Sequence, residues 1–197
     1  MRLRTERRFD EAREWSRGLW ASLGEEPRVV MEREIRAQYA ALFGVLPDPT
    51  YLTYGNVDVP SLWPEFLKPG STVLDGETAV IGGKTWGFVG GGLHTPMRTP
   101  YEIDDETYAE KVAAVGAVDI LACHIPPDVP ELLYDVAARR LERGSSAVLD
   151  AIRDTSPELV LFGHVHNPLQ ARTRIGRTEC VNVGHFRGRG APFVLEW

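Results

Sequence analysis

The stretch "LFGHVHNP", residues 161–168, places two histidines two positions apart, directly after an apolar run. The run begins at "ELVLF", residues 158–162, and its length and composition predict a buried strand that ends in polar residues. In an extended segment, residues i and i+2 point to the same side, so His164 and His166 can face one place. Two unrelated surface histidines would give the same local pattern, so other segments have to distinguish a site from a coincidence.

Two other predicted strands end in the same way. The segment "TYLTYGN", residues 50–56, runs into an asparagine, and "VDILACH", residues 118–124, runs into a histidine. In α/β sheets, the loops beyond the carboxyl ends of several strands converge on one region. We therefore expect four side chains that are distant in sequence to meet at one site. They are Asn56, His124, His164 and His166.

The order of predicted elements defines the fold class. Residues 5–43 are predicted to be helical, and helices are also predicted at 104–116, 130–144 and 145–157; strands are predicted at 50–56, 71–92, 118–124 and 158–164, with a closing β meander. Strands that alternate with helices favour a parallel sheet, and the hairpins add an antiparallel part. The predicted organisation is an N-terminal helical segment, residues 1–49, followed by an α/β domain, residues 50–197.

Composition limits the classes of partner. The chain has 197 residues, a net charge of −6 and 43% hydrophobic residues, which is typical of a globular protein without a general affinity for nucleic acid. Two cysteines do not form a disulfide framework. No apolar run approaches the roughly 20 residues of a membrane span, and the first residues lack the apolar core of a signal peptide. We expect a cytoplasmic protein with no membrane partner. The sequence does not decide whether the chain forms a homo-oligomer.

The four side chains suit divalent metal ions. Neutral imidazole binds Mn, Fe, Zn or Ni, and an amide oxygen is a hard donor, so the sequence does not distinguish these metals. His164 and His166 can serve two ions about 3.5–4 Å apart, as in two-metal hydrolytic sites. Each residue also has a structural alternative: Asn56 in an Asx turn, His124 as a core histidine that caps a strand, and the other two as surface loop residues.

Three motifs together resemble a known family. "YGNVD" at 54–58, "CHIPP" at 123–127 and "FGHVH" at 162–166 are similar to the last three signature blocks of the calcineurin-like metallophosphoesterases, in the family's order. The likeness covers about residues 50–185. It implies an α/β fold, a two-sheet β-sandwich flanked by helices. It also implies a hydrolase in which a hydroxide bridging two divalent metal ions attacks a small phosphomonoester or phosphodiester substrate.

The resemblance also implies individual roles. Asn56, His124 and His164 would hold one metal, and His166 would help to hold the other. Asp58 is the candidate catalytic residue, which would orient groups on the leaving-group side; bracing the Asn56 loop is the alternative. Family members often have a histidine after the Gly-Asn pair, where it can protonate the leaving group, but this chain has Val57 there.

The chain departs from the family near its start. The opening Asp-x-His and Gly-Asp-x-x-Asp blocks do not occur, and with them the aspartate that bridges the two ions is missing. The chain begins in what resembles the helical insert after those blocks, so the fold is expected to be N-terminally incomplete, through truncation or a mis-assigned start. The alternative function is therefore a catalytically impaired or non-catalytic member of the same fold that acts as a binding or interaction protein.

Overall fold

The structure is a computed structural model, and it describes residues 9–95 and 99–196. The chain divides into two compact units. The first combines Met1–Pro47 with Leu62–Lys68, and the second combines Asp48–Ser61 with Pro69–Trp197.

The first unit contains two helices, α1 (Phe9–Ser22) and α2 (Pro27–Val45). Proline at the start of α2 is favourable because the first helical N–H has no partner within the helix. The core of the unit is a cluster of four aromatic rings whose neighbouring centroids lie 5.8–6.3 Å apart: Tyr39, Phe43, Trp63 and Phe66. The predicted helical region, residues 5–43, is confirmed over Phe9–Ser22 and from Pro27 onward; residues 23–26 form a turn between the two helices, and residues 5–8 lie outside the described residues.

The second unit contains most of the regular structure. Its strands are β1 (Thr50–Leu52), β2 (Ser71–Val73), β3 (Glu77–Ile81), β4 (Lys84–Val89), β5 (Gly92–Leu93), β6 (Glu102–Ile103), β7 (Ile120–Cys123), β8 (Tyr134–Asp135), β9 (Arg140–Leu141), β10 (Leu159–Phe162), β11 (Arg172–Ile175) and β12 (Thr178–Asn182). Its helices are α3 (Asp105–Val115), α4 (Pro130–Leu133), α5 (Ser146–Thr155) and α6 (Phe186–Arg189). A 3-10 helix, Pro60–Glu65, begins in this unit and ends in the first.

Six strands form one mixed sheet in the order β11-β12-β10-β7-β4-β3. The four inner strands are parallel, and β11 and β3 are antiparallel at the two edges. Short apolar runs suit the inner positions because both faces of a parallel sheet are covered. Val160 of β10 is fully buried, with Leu121 of β7 as its register partner. The α/β class and the mixed sheet are confirmed.

Helices α3 and α5 cover part of this sheet. Their apolar residues, among them Tyr108, Val112, Val148 and Ile152, join the strands in one buried core. Three smaller ladders lie outside the main sheet: β1–β2 and β5–β6 are parallel, and β8–β9 is antiparallel. Among the described helices, none combines the length and apolarity needed to cross a membrane.

The prediction of a helix over residues 130–144 is wrong. Helix α4 ends at Leu133, and the chain continues into the β8–β9 hairpin. The reason is Asp135, whose Oδ1 accepts hydrogen bonds from the backbone N–H groups of Ala137 and Ala138, at 2.9 and 2.8 Å. Aspartate makes such bonds at turns, where they compete with helical bonds. The predicted closing meander is confirmed only as the β11–β12 hairpin, since α6 follows it.

Candidate functional site

Asn56, His124 and His164 converge beyond the ends of the inner strands. The Nε2 atom of His124 lies 3.0 Å from Oδ1 of Asn56 and 3.3 Å from Nδ1 of His164. The two histidines directly follow β7 and β10. These strands are adjacent and parallel, so the segments that follow them begin at the same, carboxyl end of the sheet. Three of the four predicted ligands therefore present polar atoms to one point.

These separations fit donors around a single cation. Bonds of 2.0–2.2 Å from a metal to nitrogen or oxygen place neighbouring donor atoms about 3.0–3.5 Å apart. One oxygen and two imidazole nitrogens, at 3.0 and 3.3 Å, have that spacing. Within the described residues, no three side chains drawn from His, Cys, Asp and Glu alone are placed to hold a metal. The third donor of this cluster is an amide, which lies outside that set.

Burial keeps both histidines in the neutral form. It is the largest cause that lowers the pKa of His124, to about 3, and the nearby His164 and His166 lower it further. Burial also lowers the pKa of His164, against the opposing effect of Glu142. Metal binding requires neutral imidazole, because the protonated ring has no free lone pair. The site thus presents its nitrogens in the form that a cation needs.

The His164 loop has a constrained backbone. His164 has a φ of 64°, a left-handed conformation that costs energy for any residue other than glycine. The Nδ2 group of Asn182 donates to the carbonyls of Gly163 and Val165, at 3.2 and 2.9 Å, and so clamps the loop on both sides. Asn182 is buried at the end of β12. Sequence reasoning missed it, although a polar residue at the end of an apolar strand is the signal on which the four candidate ligands were predicted.

Two glycines allow the close approach of the cluster. A Cβ atom at Gly55 would lie 2.7 Å from Cε1 of His124, and one at Gly92 would lie 2.4 Å from Cβ of Asn56. Real Cβ atoms do not come so close to other heavy atoms. Both positions therefore require glycine for steric reasons.

Asp58 braces the loop that carries Asn56. Its Oδ2 accepts a hydrogen bond of 2.7 Å from the backbone N–H of Gly55. This contact fits the bracing role that was the alternative for Asp58. A direct catalytic role for Asp58 stays a prediction.

The ring of His166 packs against His185, whereas the rings of His124 and His164 contact each other. The His166 side chain is exposed and stacks on His185, with ring centroids 4.0 Å apart and planes 8° from parallel. The two rings line an open cavity of about 340 Å³, together with Asn167 and Pro168. His166 follows His164 by two residues, so the cavity adjoins the loop that carries one member of the cluster. Its assignment as a ligand of a second metal stays a prediction.

A series of hydrogen bonds starts at the amide NH₂ group of Asn56, whose oxygen lies on the His124 side. The Nδ2 group of Asn56 donates to Oγ1 of Thr99 at 2.9 Å, and Thr99 Oγ1 donates to Oε1 of Glu102 at 2.8 Å. The same Glu102 oxygen accepts from Oγ1 of Thr95 at 2.7 Å, and Oε2 accepts from the Thr95 N–H at 2.8 Å. Sequence reasoning missed these residues because they belong to no motif.

Comparison with solved structures supports the class of fold. One crystal structure superposes with a TM-score of 0.58 at 20% sequence identity, covering 90% of this chain and 76% of that chain. The crystal structure of TT1561 from Thermus thermophilus superposes with a TM-score of 0.50 at 19% identity, covering 74% and 68%. No protein-family model and no curated protein matches the chain. At these identities the likeness shows the fold alone, an α/β protein built on a mixed sheet.

Proposed function

We propose that this protein is a divalent-metal-dependent phosphoester hydrolase of the calcineurin-like type, acting on a small phosphomonoester or phosphodiester. The convergence of Asn56 Oδ1, His124 Nε2 and His164 Nδ1 is the observation that carries the proposal. These atoms come from the three motifs that resemble the family.

The finer description of the fold belongs to the same proposal. We place the six-stranded sheet in a two-sheet β-sandwich of the metallophosphoesterase kind. The packing of β1 against the main sheet supports this, since the ring of Tyr51 stacks on Phe88 of β4 with centroids 6.4 Å apart. Both cysteines, Cys123 and Cys180, are free and buried, which supports a cytoplasmic location.

Asn56, His124 and His164 would hold one metal ion, and His166 would take part in holding a second. Bound divalent ions lower the pKa of water and neutralise negative charge on phosphoryl oxygens. The chain itself keeps the two buried imidazoles neutral and points an amide oxygen at the same place.

The cavity beside the cluster is the proposed substrate site. His166 and His185 line it, and imidazole N–H groups can donate hydrogen bonds to phosphoryl oxygens. Val57 is exposed at the position where family members often have a histidine that protonates the leaving group. Since valine has no proton to give, we propose that the preferred substrates have leaving groups that depart without protonation, such as aryl phosphoesters.

Metal analysis combined with a turnover assay tests the proposal. The protein is stripped with a chelator and titrated with Mn²⁺, and hydrolysis of bis-p-nitrophenyl phosphate and p-nitrophenyl phosphate is then measured. We expect Mn²⁺-dependent release of nitrophenolate, and loss of that release in His124→Ala but not in His94→Ala, which alters an exposed loop histidine. Protein that neither binds metal nor hydrolyses either ester would contradict the proposal.

A non-catalytic binding protein is the second candidate. It is favoured by the donor set, because no group of three His, Cys, Asp or Glu side chains in the described part of the chain is placed to hold a metal. Phosphoesterases of this type depend on a bridging carboxylate, as the family resemblance implies. Metal binding with unchanged, background hydrolysis of both esters would favour this candidate over the enzyme.

A further inference from the structure

We propose that Glu102 is a positioning residue that, through Thr99, fixes which atom of the Asn56 side-chain amide faces the metal-binding cluster. This inference rests on the proposed function, since it concerns one donor of the proposed site. The geometry behind it is the chain from Asn56 Nδ2 to Thr99 Oγ1 to Glu102 Oε1, at 2.9 and 2.8 Å.

The chain begins at a carboxylate that is buried and ionised. Glu102 is 9% exposed, and both of its oxygens accept hydrogen bonds. Burial alone would raise its pKa, but the hydrogen bonds from Thr95 and Thr99 outweigh burial and lower the pKa to about 2. At neutral pH the carboxylate is therefore an acceptor only.

The number of protons available then determines which group donates in each hydrogen bond. The hydroxyl of Thr99 has one proton, and an acceptor-only carboxylate 2.8 Å away takes it. Thr99 Oγ1 can then only accept from Asn56, so the group that faces it at 2.9 Å must be the NH₂ of the amide. The amide oxygen is left on the opposite side, where it lies 3.0 Å from His124 Nε2.

The carboxylate lies on a segment that is hydrogen-bonded to the backbone of Asn56. Glu102 belongs to β6, which is paired with β5, and the neighbouring Tyr101 N–H donates to the backbone carbonyl of Asn56 at 3.2 Å. Gly92 of β5 packs closely against Asn56. The segment that holds the carboxylate is thus attached to the residue it orients.

The orientation matters because the two ends of an amide differ as ligands. The oxygen has lone pairs for a cation, whereas the NH₂ group is a donor of hydrogen bonds. A reversed Asn56 would present N–H groups to His124 and to any cation. Residues that orient metal ligands in this way typically change metal affinity by about 10–100-fold when mutated.

Three variants separate orientation from general stability. Thr99→Val removes the hydroxyl, and Thr99→Ser keeps it. Glu102→Gln replaces one acceptor oxygen by an NH₂ group, although the Thr95 and Thr99 hydroxyls and the Thr95 N–H all donate to this side chain. The Thr99 hydroxyl is then free to donate to Asn56, which favours an Asn56 side chain with its amide oxygen and NH₂ group exchanged. Thr155→Val is the matched control, because it deletes a half-buried hydroxyl bonded to the carbonyl of Ala151, at the end of α5.

Two readouts are used on the full chain. Calorimetric titration of the chelator-stripped protein with Zn²⁺ gives the affinity, and proton exchange of the Asn56 side-chain NH₂ is followed by NMR in the metal-free protein. The NH₂ signal is assigned by its loss in Asn56→Asp. We expect Thr99→Val and Glu102→Gln to weaken Zn²⁺ binding about 10–100-fold and to speed exchange, with Thr99→Ser and Thr155→Val close to wild type.

The results distinguish this inference from the proposed function. If folded Thr99→Val and Glu102→Gln bind Zn²⁺ like wild type and exchange slowly, the positioning role is overturned while metal binding stands. If wild type binds no Zn²⁺, the proposed function fails and the exchange data decide the orientation alone. Should Thr99→Val fail to fold, the affinity and exchange rate of Glu102→Gln decide between the two outcomes.

Discussion

His124 Nε2 lies 3.0 Å from Asn56 Oδ1, although the two residues are 68 positions apart in the chain. The contact joins the loop after β1 to the end of β7. A neutral imidazole and an amide oxygen at this distance can form a hydrogen bond in the metal-free protein, and the same two atoms have the separation of neighbouring donors on one cation. Substitutions at this pair, and at the residues that hold it, should therefore change both metal binding and stability.

Removing either member of the pair should weaken metal binding. We expect Asn56→Ala and His124→Ala to reduce Zn²⁺ or Mn²⁺ affinity by at least about 100-fold, more than the change typical of residues that only orient a ligand. His166→Ala should leave the tighter binding event within a few-fold, because His166 stacks on His185 instead. Calorimetric titration measures the metal affinity of each variant, with His94→Ala as the control. Equal losses in His166→Ala and His124→Ala would contradict this division.

Gly55→Ala should displace the His124 ring. The added Cβ would lie 2.7 Å from Cε1 and 2.8 Å from Nδ1 of that ring, so we expect a loss of about 1–3 kcal/mol in the free energy of unfolding, together with weaker metal binding. Gly18→Ala in α1 is the control, because nothing lies within 4 Å of its Cβ. That helical site should gain about 0.5–1 kcal/mol. Chemical denaturation of both variants checks the pair, and no loss in Gly55→Ala would contradict the packing.

The stability of the metal-free protein should fall below neutral pH. The unfolded chain binds a proton at His124 below about pH 6.5, whereas the folded pKa is lowered to about 3. Between these values the unfolded state holds more protons, so the contribution of His124 is complete above pH 6.5 and decreases as the pH drops toward 3. One such group gives a slope of about 1.4 kcal/mol per pH unit, and His164 acts in the same direction.

Urea unfolding between pH 7.5 and 5 measures that slope above the range in which ordinary carboxylates titrate. We expect a flatter profile in His124→Gln, which removes the titrating ring. Identical slopes in wild type and His124→Gln would show that another group causes the dependence.

Asp58 variants should separate bracing from catalysis. Asp58→Ala removes the acceptor for the Gly55 N–H and should cost about 1 kcal/mol, since Asp58 is half-buried. Asp58→Asn keeps an acceptor oxygen, so we expect it to retain most of the stability and of the phosphoesterase rate. A carboxylate that acted on the leaving group would instead make Asp58→Asn as slow as Asp58→Ala. Thermal unfolding and turnover measured together decide between these outcomes.

The helix predicted over residues 130–144 shows what the local sequence pattern cannot predict. The segment 130–144 has the spacing of a helix, yet the chain turns at Asp135. The Oδ2 of Asp135 also accepts from the N–H of Asn167, directly after the predicted His166 ligand. That bond comes from a distant segment, so it could not be read from the helical pattern of residues 130–144.

The sequence by itself determined the buried strands and the polar residues that follow them, because an apolar run of strand length requires burial and its end requires a turn. It therefore predicted the α/β class and the meeting of four side chains. Of these, Asn56 and His164 each lie within hydrogen-bond distance of His124, whereas His166 stacks on His185. Tertiary structure decided the rest: which ring His166 stacks on, which asparagine clamps the His164 loop, and which carboxylate lies behind Asn56. Those contacts depend on register and on packing between segments far apart in the chain, and residues such as Thr99 and Glu102 have no local pattern that indicates them.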